Sequence, residues 1–127
     1  VWKKNPIASK SSVSLQELEK YPCLTFDQGK TNSFYFAEEV FSTYEYKQTI
    51  QVDDRASMLN LMVGLNGYTL CSGIICEELN GSDYAAVPLK ETEVMTIGYV
   101  KRKSIQLSEL AQLYVNELAK YKNLVLK

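Results

Sequence analysis

Residues 52–72 read VDDRASMLNLMVGLNGYTLCS, and the parsing of this stretch decides the fold. Gln48 to Val52 reads as a strand, because Thr49, Ile50 and Val52 give it β-branched character. Asp53 or Asp54 is placed to cap the helix that follows. A carboxylate there accepts orphan N–H bonds and complements the positive end of the helix. The helix carries Met58, Leu59, Leu61, Met62, Val63 and Leu65, so it is apolar on most of its circumference and expected to be buried. Asn66-Gly67 ends it, since both residues tolerate the left-handed cap conformation. Tyr68 to Cys71 reads as a second short strand. Strand, helix and strand with tight joints form a βαβ unit, and such units build parallel sheets.

The flanking chain fits this frame. Val1 to Ala8 is half apolar and broken at Pro6, which allows an edge strand only. Ser14-Leu15-Gln16-Glu17 is a capping box, with Val13 and Leu18 at hydrophobic-staple positions, and Tyr21-Pro22 stops the short helix. Cys23 to Phe26 is a strand. A polar loop follows, and Asn32 or Ser33 caps a helix striped by Phe34, Ala37, Phe41 and Tyr44. Beyond the central unit, Gly73 to Leu79 reads as a short helix closed by Asn80-Gly81. Strands are expected near 84–88 and 94–102. A last helix is expected to bury Leu107, Leu110, Ala111, Tyr114, Leu118 and Tyr121. The order describes an α/β sheet domain.

Composition narrows the function. The chain has 127 residues, the size of one small domain, and its 46% apolar content predicts a core rather than disorder. A net charge of −1 lacks the basic excess that phosphate binding requires, and the basic cluster Lys101-Arg102-Lys103 reads as a solvated strand end. Three cysteines, Cys23, Cys71 and Cys76, are too few and too irregular for a disulfide scaffold. They are expected as buried small hydrophobes in a reducing compartment. The chain has no histidine, which removes Ser-His and Cys-His chemistry and the commonest metal ligand. No glycine-rich phosphate loop, membrane-length apolar run or signal-peptide core is present. The expected protein is therefore not an enzyme, with no catalytic residue, metal or cofactor. Val1 is not an initiator residue, so the chain is expected to be a fragment or a processed product.

Several segments resemble, in order, the effector-binding domain of LysR-type transcriptional regulators. Asn5 to Ala8, N-P-I-A, stands where that family commonly has H-P-L-A. Val13 to Leu18, V-S-L-Q-E-L, resembles V-S-L-x-D-L, and Tyr21 to Phe26, Y-P-C-L-T-F, resembles Y-P-L-I-x-F. In the central stretch the family pattern is V-x-x-G-x-G-I-x-x-x-P. Here Gly67 matches its second glycine, while Leu65 stands at the first and Ser72 replaces the proline. Ala86 to Leu89, A-V-P-L, and Ser108 to Tyr114, S-E-L-A-Q-L-Y, complete the series.

The resemblance implies a type 2 periplasmic-binding-protein-like fold, with a complete second subdomain and a partial first one. Residues 1–26 would be a crossover and part of subdomain I, 27–94 subdomain II, and 95–127 the return crossover and the C-terminal helix of subdomain I. It further implies a cytoplasmic, homo-oligomeric regulator whose helix-turn-helix precedes Val1. DNA would then be reached only through that absent domain. An extracytoplasmic solute-binding protein of the same fold is the alternative, and the parent's N-terminus discriminates the two.

Candidate ligand contacts lie at strand ends and helix starts, because open α/β sheets bind ligands outside the carboxyl ends of their strands. Thr25, Asp27, Gln28, Thr31 and Asn32 belong to the end of one strand, and Asp53, Asp54 and Arg55 to the end of the next. Caps and turn formers is one reading of these residues; ligand contact is the other. The resemblance implies contact for Asp27, Thr31 and Asp53. Carboxylates at both strand ends would repel a simple anion but pair an ammonium group, while Arg55 and helix-start N–H groups could hold a carboxylate. The expected effector is an amino-acid-like metabolite.

Overall fold

In the computed structural model, which describes residues 1–27, 45–73, 75, 77–91 and 98–120, capping chemistry sets the helix ends. Helix α1, Leu15–Leu18, begins at a complete capping box. Ser14 Oγ accepts from Glu17 N–H, and the Glu17 carboxylate accepts from Ser14 N–H at 3.0 Å. The staple residues Val13 and Leu18 are both buried in one cluster. Helix α2, Arg55–Gly64, starts at Asp54, whose Oδ1 accepts from Ser57 N–H at 2.9 Å. It ends in a Schellman pattern, with Gly67 N–H on Met62 O and Asn66 N–H on Val63 O. Asn66 takes the left-handed turn itself, at φ 55°, so Gly67 is not the residue that needs positive φ.

Strands β1, Cys23–Phe26, and β2, Thr49–Val52, pair in parallel with Phe26 opposite Val52. On the other edge of β1, Leu24 N–H donates to Tyr68 O and Tyr68 N–H to Pro22 O. β1 therefore lies between β2 and Tyr68, and α2 is the crossover between its two neighbours. Successive β1 side chains enter opposite faces. Cys23 packs with Ile7, Val13, Leu18 and Tyr68; Leu24 packs with Val52, Met58 and Met62. Both faces being covered explains why the neighbours Cys23 and Leu24, on opposite faces, are both apolar.

The N-terminal segment is pinned along this core. Trp2 bridges Tyr84 antiparallel, as an edge segment before Pro6 should, and Pro6–Ser9 then form a 3-10 turn. Asn5 is buried. Its Oδ1 accepts from Ile7 N–H and its Nδ2 donates to Asn66 O, both at 2.9 Å. Val13 bridges Leu89 in parallel. The Tyr84 hydroxyl donates to Leu59 O on α2.

Several expectations are corrected. Helix α2 buries only Met58 and Met62, one helical turn apart; Leu61 and Leu65 are exposed, because the sheet covers a single face. The expected strand at 68–71 is reduced to one rung at Tyr68, after which the chain leaves the edge of β1 and Cys71 and Ser72 are exposed. The strand at 84–88 is replaced by isolated bridges at Tyr84 and Leu89, made to two different partners. Helix α3 is Glu77–Asn80 rather than 73–79, since Gly73 is at φ 83° and leaves the helical region. It closes at Gly81, as expected. Residues 98–102 are not a strand, and Lys101 to Lys103 sit at a turn where Ile105 N–H donates to Arg102 O. The rest of that strand and the helix expected beyond Asn32 lie outside the described residues.

The chain divides into two compact units, Val1–Met95 and Thr96–Lys127. In the second, helix α4, Glu109–Lys120, has Ser108 Oγ accepting from Ala111 N–H near its start. Its expected buried stripe is not buried. Leu110, Tyr114 and Leu118 are exposed, because the described part of this unit offers α4 only the irregular segment before it. Tyr121 lies outside the described residues. Among the described residues no helix is long and apolar enough to cross a membrane.

Acid should loosen the first unit. Lys10 beside Glu17, with Ser14 N–H, Lys90 and the Ser14 hydroxyl, holds the Glu17 carboxyl well below the usual glutamate range. A carboxylate lowered on folding contributes its stability above the unfolded value, near 4.5, and loses it as the pH falls further. Glu17→Gln is expected to lower Tm at neutral pH, with the difference from wild type shrinking below about pH 4.5. Thermal melts across that range check this, and a constant difference at every pH would refute it.

Candidate functional site

The parallel register brings the two strand ends together. Asp27 N–H donates to Val52 O at 3.0 Å, so the chain leaves β1 beside the point where it leaves β2. Asp27 and Asp53, the residues directly after the last pair, are both exposed. The α2 start lies next to them. Asp54 is extended there, and the Ser57 hydroxyl and then the Ser57 N–H hold its carboxyl below the usual aspartate range. Of the two possible caps, the helix uses Asp54. Asp53 has no hydrogen bond or ion pair among the described interactions.

Arg55 opens α2 with its guanidinium carbon 5.8 Å from the centre of the Phe26 ring, a cation–π placement. Phe26 was not singled out from sequence, although a signal exists: it ends β1, and Arg55 opens the helix after the neighbouring strand. Thr25 is only 4% exposed, which sets it inside β1 rather than on the open edge. Gln28, Thr31 and Asn32 lie outside the described residues. The arrangement is thus an edge with two exposed carboxylates, one carboxylate committed to a helix cap, and one cation held against an aromatic ring. Such a set can pair a cationic group and offer a guanidinium to an anionic one.

Other candidates are less well built. In the second unit a groove of ≈ 610 Å³ is lined by Tyr99, Lys101, Leu107, Gln112, Leu113 and Asn116 among others, and contains none of the residues expected from sequence. The Lys101 ammonium there donates to Ile105 O. Cys23 is buried as expected. Cys71 is exposed, contrary to expectation, and its sulfur accepts from Gly73 N–H at 3.4 Å; Cys76 lies outside the described residues. Among the described residues no group of His, Cys, Asp or Glu is arranged to hold a metal ion. No protein-family model, curated protein or solved structure matches the chain.

Proposed function

We propose that this chain is the ligand-sensing part of a LysR-type, cytoplasmic transcription regulator, with type 2 periplasmic-binding-protein-like topology. The observation that carries the reading is the pairing of β1 with β2, which sets Asp27 beside Asp53 at one carboxyl edge next to the start of α2. That edge is where open α/β sheets take ligands. The ordered motif resemblance supplies the class. The effector is an amino-acid-like zwitterion: its ammonium group meets Asp27 and Asp53, and its carboxylate meets Arg55. Calorimetry of the chain with an amino-acid panel and with sulfate tests this. At least one amino acid should bind, and Asp53→Asn should weaken it about tenfold or more, as loss of one charge-assisted contact implies. Sulfate binding without amino-acid binding, or unchanged affinity in Asp53→Asn, would refute the assignment.

The same reading gives the chain a second copy as partner and leaves DNA to a helix-turn-helix outside it. Analytical ultracentrifugation at tens of micromolar, with a labelled operator-like duplex present, should show a homodimer that leaves the duplex free. A monomer, or a duplex that co-sediments in a sequence-specific and salt-dependent way, would count against it.

A further inference from the structure

We draw no further inference here: the strongest candidate, the exposed apolar face of α4 formed by Leu110, Leu113, Tyr114 and Leu118, carries nothing because nothing in the structure shows what covers it.

Discussion

Gly67→Ala is expected to destabilise the chain by about 3 kcal/mol or more, a large part of the roughly 5–15 kcal/mol that holds a typical domain folded. A Cβ at this position would stand 2.3 Å from Leu24 Cδ1 and 2.9 Å from Pro22 O. Leu24 is fully buried between α2 and the sheet, so its side chain has little room to retreat. Pro22 O is backbone, and it accepts the Tyr68 N–H bond that joins Tyr68 to β1. The added methyl must therefore displace either the core or the rung. Gly64→Ala provides the contrast. That glycine is helical with open space where its Cβ would lie, so the same substitution should stabilise by about 0.5–1 kcal/mol. Urea unfolding reads both as shifts of midpoint at constant slope. A Gly67→Ala midpoint equal to wild type would show that the approach is looser than described. In the double variant with Leu24→Ala the Gly67 effect should shrink but persist, because the Pro22 carbonyl contact remains.

Asn5→Ala is expected to cost about 2–3 kcal/mol, through two hydrogen bonds lost in a buried place. The amide oxygen satisfies Ile7 N–H at the start of the 3-10 turn, and the amide nitrogen reaches Asn66 O just past α2. Alanine strands both partners. It also releases Asn66, which sits in the left-handed region at φ 55°. Asn5→Asp separates the two roles. It keeps an acceptor for Ile7 N–H, loses the donor to Asn66 O, and sets a carboxylate oxygen toward that carbonyl. Asp should therefore remain destabilising, and amide exchange should quicken near Asn66 more than at Ile7. Equal protection at both sites in Asn5→Asp would mean that the bond to Asn66 contributes little.

What the sequence disclosed well was chemistry confined to a few neighbouring residues. Ser14 with Glu17 fixes one helix end through side chains, and Asn66 with Gly67 fixes another through backbone N–H groups, each within one turn, and the helix limits followed them. β1 and β2 were legible because their β-branched and apolar runs lie between clear breakers. The strands at 68–71 and 84–88 were overread because a rung needs a partner from elsewhere in the chain, and local composition does not say how many rungs the partner offers. Helix α2 shows the same limit: its apolar residues surround it, but coverage by the sheet selects Met58 and Met62. At the candidate site, adjacent aspartates left the cap undecided, because either could reach an N–H three residues on. The bond to Ser57 resolves that in favour of Asp54 and leaves Asp53 for other work. Asn5 was legible as part of a motif but not as a structural tie, since Asn66 lies far along the chain.

The position of β1 between β2 and Tyr68 bears on how the chain reaches its native state. Neither neighbour is close to β1 in sequence, so no hairpin can nucleate it. Each pairing waits for the chain between its partners to close, and that closure entropy is spent ahead of the hydrogen bonds it allows. Helix α2 can begin from its own caps within one turn, while β1 waits for segments on both sides. The centre of the sheet is thus expected to form after α2, and folding kinetics of conservative substitutions at Leu24 and Met58 would check that order.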